Sequence, residues 1–150
     1  MRRTGYSLPE LSMVILVITI LSSTLVSVYD DAMDGARYAR ADGQIATLGA
    51  AVARYRYDMS AYPASLQNLA DASPTDGKSW VTSQMIPTTD PWDSQCGING
   101  SGGASAYCYA YTDSGFAIWT MGPNKTNNSG GGGAALPAAF SPDDKGVFGK

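Results

Sequence analysis

Residues 5–28 read "GYSLPELSMVILVITILSSTLVSV": a glycine, a proline and one glutamate stand directly before a long apolar run. Residues 11–28 carry no charged side chain, although serines and threonines add hydroxyls. At about 1.5 Å per residue a helix over this run reaches roughly 27 Å, close to the roughly 30 Å of a bilayer core. The run is therefore expected to span a membrane. Arg2 and Arg3 precede it and Asp30, Asp31 and Asp34 follow it, so the positive-inside bias puts the N-terminus in the cytoplasm and the remaining chain outside. A secretory signal would end in a small-residue cleavage site after the apolar run, and "SSTLVSVYDDAMDGA" offers no convincing one. The clean processing candidate is Gly5, before the run, which would leave Tyr6 as the new N-terminus with the helix still attached.

Glu10 has a local explanation too. Ser7-Leu8-Pro9-Glu10 fits a capping box, with Ser7 as N-cap, Glu10 at the third helical position and Pro9 in the first turn, where its missing N–H costs nothing. Capping accounts for Glu10 but not for Gly5 or the short basic leader.

Beyond the run the apolar rhythm continues at Tyr38, Ala41, Ile45, Leu48, Val52, Tyr55 and Met59, the spacing of one helix face. One helix is expected from about residue 8 to about residue 58, weakened by Gly35, Gly43 and Gly49. It ends before Pro63, which pushes the preceding residue out of the helical region. A short helix around residues 65–70 follows. "AYCYAYTDSGFAIWTMG", residues 106–122, reads as an antiparallel hairpin turning at Asp113-Ser114-Gly115. Tyr107, Tyr109 and Tyr111 share one face and are expected to pack on the helix rather than form a ligand platform. Residues 129–135, "SGGGGAA", are a low-complexity loop. The three N-x-[ST] triplets beginning at Asn99, Asn124 and Asn127 are weak signals in loops of this composition.

Composition narrows the function. The chain has 150 residues, a net charge of −3 and no histidine, so it lacks the commonest general base and transition-metal ligand. Without histidine no persuasive nucleophile and base pair emerges, and an enzyme is not expected. Arg37, Arg40, Arg54 and Arg56 are interspersed with aspartates as a solvated helix face, and no basic patch predicts nucleic-acid binding. Cys96 and Cys108 match no zinc spacing. On the extracytoplasmic side they are expected to pair, two free buried thiols being the alternative.

"GYSLPELSMVILVITIL" resembles the class III signal of type IV pilins and pseudopilins. Its matching positions are Gly5 before the cut, Tyr6 at the first mature position and Glu10 at the fifth. Tyr6 stands where that family usually has Phe, and Pro9 where it has an aliphatic residue. The resemblance implies cleavage after Gly5 by a prepilin peptidase, N-methylation of Tyr6 and an assembly contact at Glu10. "SAYPASLQNLADAS" and "DPWDSQ" are similar to landmarks of the major pseudopilin of type II secretion. So are "MGPNKTNN" and "DDKGVF". In that subfamily the last two segments bind calcium, which implies Met121 through its carbonyl, Asn124 through its amide and Asp143 and Asp144 through their carboxylates. Asn124 stands where an acidic ligand is usual.

The expected architecture is α+β and type IV pilin-like, a long N-terminal helix packed on a small antiparallel sheet. Its expected segments are a leader at 1–5, a transmembrane and filament-core helix at 6–28, an amphipathic continuation at 29–58 and a globular domain at 59–150. The implied partners are further copies of the chain, prepilin peptidase, the inner-membrane assembly platform with its ATPase, minor pilins or pseudopilins, and the membrane. The implied location is the inner membrane as precursor, then a periplasmic pseudopilus or a cell-surface pilus. A major type IVa pilin of a surface fibre, favoured by the cysteine pair, and a minor pilin acting as a binding module are the alternatives.

Overall fold

The computed structural model describes residues 7–131 and 135–150, apart from the side chains of residues 24–27. Helix α1 spans Leu8–Met59, as the apolar periodicity predicts. The chain divides into two compact units, Met1–Ala36 and Arg37–Lys150.

In the first unit, α1 is long and apolar enough to cross a membrane, and its most apolar window is wholly unburied. Three hydroxyls there turn back onto the helix's own carbonyls. Ser12 donates to Pro9 O at 2.9 Å, Thr19 to Ile15 O at 2.7 Å and Ser23 to Ile20 O at 2.8 Å. Such back-bonding lets hydroxyl side chains sit in an apolar helix without an unpaired polar group.

In the second unit, α1 buries Ala41, Ile45, Leu48, Ala51 and Val52. These residues face the core that also holds Leu66, Leu69, Tyr107, Tyr109, Phe116 and Ile118. The end of the helix is fastened by side chains: Trp80 donates Nε1–H to Asp58 Oδ2 at 2.8 Å, and the Arg54 guanidinium lies 3.9 Å from the same oxygen. Past the turn at Tyr62-Pro63, a 3-10 helix runs Leu66–Ala70. Its N-cap Ser65 donates both N–H and Oγ–H to Asn68 Oδ1 at 2.9 Å.

Three antiparallel strands follow, β1 at Cys108–Thr112, β2 at Gly115–Trp119 and β3 at Gly146–Gly149, in the order β1-β2-β3. The first two are the hairpin read from the sequence, paired Tyr109 to Ile118 and Tyr111 to Phe116 on one face and Cys108 to Trp119 and Ala110 to Ala117 on the other. The third strand was not expected. It pairs Ala117 with Phe148 and Ile118 with Val147, and Val147 packs beside Gly49 of α1, its Cγ1 3.4 Å from where a Cβ would stand.

The hairpin strands are also more deeply enclosed than half-buried strands, while β3 stays partly exposed. The hairpin's tyrosine face lies in the helix core, while Cys108, Ala110, Ala117 and Trp119 join Cys96 and Met121 in a second core, against which Leu136 and Phe140 pack. Cys96 and Cys108 form a disulfide inside that second core. The architecture is the expected α+β arrangement of a long helix and a small antiparallel sheet.

Candidate functional site

Glu10 occupies the third position of α1, where the capping box puts it. Oε2 accepts the Ser7 backbone N–H and the Ser7 hydroxyl, each at 2.9 Å. Both bonds are solvent-exposed, so a carboxylate oxygen stays accessible at the head of the apolar helix. Met13, Val14, Val17 and Ile18 lie beyond it on the same face. Gly5 and Tyr6, the expected cleavage and methylation positions, lie outside the described residues.

The second candidate is a corner where three sequence-distant segments meet. Asp90 begins the "DPWDSQ" turn, and it is buried with every oxygen in use. Oδ1 accepts the backbone N–H of Trp92 at 3.0 Å and of Ser94 at 2.8 Å, and Oδ2 accepts the Thr120 hydroxyl at 2.7 Å. Thr120 in turn donates its N–H to Lys145 O at 2.8 Å. The turn, the end of β2 and the approach to β3 are thus joined through one threonine.

Of the four residues expected to hold calcium, Asn124 and Asp143 meet directly, while Asp144 bonds the segment just after Asn124. Gly122 has φ +66°, and a Cβ there would fall 2.1 Å from Asp143 O, so only glycine permits this approach. Asn124 donates Nδ2–H to Asp143 Oδ2 at 3.0 Å and accepts from the Thr126 N–H at 2.8 Å. Asp144 is buried. Its Oδ2 accepts the N–H groups of Asn128 at 3.2 Å and Ser129 at 2.9 Å, while Oδ1 is buried without a hydrogen-bond partner. The Met121 side chain sits in the second core, leaving its backbone carbonyl as the group it can offer.

Among the described residues no group of three or more His, Cys, Asp and Glu side chains gathers, so a transition-metal centre has no ligand set here. A hard cation is different, because it accepts carboxylate, amide and backbone oxygens together. The orphaned Oδ1 of Asp144 fits such an ion, since a buried carboxylate oxygen without a partner is costly. Asn124 fits less directly, for its amide oxygen is already engaged by Thr126.

The tyrosine face is packing. Tyr107 donates its hydroxyl to Gln44 Oε1 and Tyr109 to Pro63 O at 3.0 Å. Burial first, and the Asp90 carboxylate second, push the Tyr107 hydroxyl well above its ordinary range, and burial does the same to Tyr109. Asn99 is fully buried, so its glycosylation triplet is structural. The role of Asp90 as a junction was not read from the sequence, although the Asp-Pro-Trp turn that signals it was.

The family model described as type II secretion system (T2SS), protein G, matches residues 29–136. That match takes in the second unit's stretch of α1, the disulfide and the hairpin, and stops before Asp143 and Asp144. No curated protein and no solved structure matches the chain.

Proposed function

We propose that this chain, which belongs to the type II secretion system protein G family, is the repeating subunit of a pilus-like filament assembled from the inner membrane. The family is one of pseudopilins, structural rather than catalytic subunits of a pseudopilus, and the N-terminal apolar helix fits an inner-membrane anchor for a periplasmic filament. The finer reading is ours. Prepilin peptidase removes residues 1–5 and methylates Tyr6. Residues 6–28 wait in the bilayer and then bundle in the filament core, residues 29–58 continue the helix, and residues 59–150 form the globular domain. The assembly platform and its ATPase drive the transfer.

The observation that carries this reading is the exposed apolar stretch of α1 headed by an accessible glutamate. Moving from lipid to a bundle of like helices keeps those apolar groups out of water, but an unpaired carboxylate in such a bundle costs several kcal/mol. Cleavage after Gly5 creates a compensating cation, the amine of Tyr6, and a neighbour's amine answers Glu10 when subunits stack. The pairing sets axial register more than it adds net stability. Glu10→Ala is therefore expected to insert and be cleaved normally, with a mature N-terminus at methylated Tyr6 by mass, yet to form few filaments. Normal filament yield, or an uncut N-terminus in the parent chain, would sink the reading.

Calcium is the cation proposed for the corner, with Asp143 and Asp144 as carboxylate ligands, Asn124 as amide ligand and Met121 as carbonyl ligand. Its support is the unpartnered Oδ1 of Asp144. A bound cation would there order the segment after β2, and calorimetry of the chain with added calcium is expected to melt higher than with chelator. Equal melting temperatures would remove calcium from the account. The disulfide favours a second reading as a type IVa surface pilin, and imaging cells for surface fibres that vanish on deletion separates the two.

A further inference from the structure

Asn99 and Gly100 form the peptide pair most prone to spontaneous cyclisation, because a glycine on the C-terminal side of asparagine leaves its nitrogen unhindered. The fold demands this pair. Asn99 Oδ1 accepts the Leu66 N–H at 3.0 Å and Nδ2 donates to Gln67 Oε1 at 2.5 Å, which fastens the 3-10 helix to the segment before β1. Gly100 has φ +56°, and a Cβ there would fall 2.1 Å from Ala64 O. Neither residue can be exchanged for a safer one without losing these contacts.

The same fold blocks the reaction. Gly100 N–H donates to Tyr109 O at 2.9 Å and Tyr109 N–H donates to Ile98 O at 2.7 Å, so the would-be nucleophile is pinned along the edge of β1. The Asn99 side chain is fully buried with both ends engaged. The Cys96–Cys108 disulfide, spanning 12 positions, closes the loop that contains the pair, and Cys96 and Ser105 exchange backbone hydrogen bonds of 2.7 and 3.0 Å inside it.

We propose that Asn99 is a self-modification site gated by this disulfide, which commits chains that stay unoxidised to an irreversible change. With the disulfide open, the loop samples local unfolding that breaks the Gly100 to Tyr109 bond. The deprotonated Gly100 nitrogen attacks Asn99 Cγ, the N–Cγ bond forms, and the Cγ–Nδ2 bond breaks with release of ammonia. Water then opens the succinimide at either carbonyl, leaving aspartate or isoaspartate at position 99. Isoaspartate adds a backbone carbon that the β1 edge cannot accommodate. Aspartate puts a carboxylate where no solvent reaches and removes the donor to Gln67. The mark separates chains that closed their loop from those that did not, independently of whether the filament reading holds.

The experiment ages the full-length protein in detergent at neutral pH as three samples: oxidised, reduced with a phosphine, and the Cys96→Ser/Cys108→Ser variant. Peptide mass and isoaspartate at position 99 are followed in each, with oxidised chain in urea as the reactivity reference. The oxidised folded chain is expected to keep its amide, while the open chains convert at least several-fold faster and approach the urea rate. Equal rates in oxidised and open chains would overturn the gating. A slow urea reference would overturn the site itself. Asn99→Asp is expected to melt well below the parent even when oxidised, and a parent-like melt would overturn the claim that the change blocks the fold.

Discussion

Between Leu8 and Leu21 every large apolar side chain of α1 is exposed, from 50% at Val17 to 88% at Leu8, whereas between Ala41 and Val52 the same helix buries five residues to 5% or less. The backbone is helical in both regions, so backbone structure cannot account for the difference. The second region has its apolar partners within its own unit, in the 3-10 helix and the sheet. The first has none within the described residues of its own unit, and the surface it presents is larger than water tolerates on a protein. One sequence thus encodes a region that buries its own apolar face and a helical stretch long and apolar enough to cross a membrane.

Three measurements bear on that contrast, beginning with the largest effect. Trp119 is fully buried, bonded through Nε1 to Asn127 Oδ1 at 3.0 Å and packed near Phe140. Trp119→Ala is expected to cost about 3–5 kcal/mol in denaturant melts of the full chain in detergent. A cost under about 1 kcal/mol would mean that the second core adds little to the stability of this region. A smaller effect comes from alkali. The folded state holds Tyr107 and Tyr109 neutral well above their ordinary range. Unfolded tyrosines ionise near pH 10, so the unfolded chain sheds protons that the folded one keeps. Stability is therefore full below about pH 10 and declines as pH rises past it, and a melt series from pH 8 to pH 11 is expected to show this for the domain. The smallest effect is at Val17. Val17→Ala is expected to change the same melt by no more than about 0.5 kcal/mol, because no buried contact is lost. A larger loss would put Val17 in a folded core and dissolve the contrast.

The helix, its end before Pro63 and the hairpin were legible because each rests on a local pattern: an apolar period, a proline, a turn between alternating strands. The third strand, Gly146–Gly149, was not. It has four residues, two of them glycine, and its order comes from pairing with β2 some thirty positions earlier, which no local period records. The second buried face was hidden for a related reason. Cys108, Ala110 and Ala117 are small, and what covers them, Leu136 and Phe140, lies beyond the glycine-rich loop in a stretch that reads as irregular. At the sites, the capping position of Glu10 was legible from its spacing to Ser7. The corner was legible only as separate landmarks. That Asp90 reaches Thr120, and that Asp144 keeps one oxygen unpaired, depends on side-chain directions that the chain's order does not reveal.

The hairpin's pairing divides the sheet into two separate packing faces. Tyr109 with Ile118 and Tyr111 with Phe116 belong to the helix side, while Cys108 with Trp119 and Ala110 with Ala117 belong to the disulfide side. Each cross-strand pair serves one core alone. A side-chain change on one side therefore alters the packing of one core while the contacts on the opposite side keep their partners.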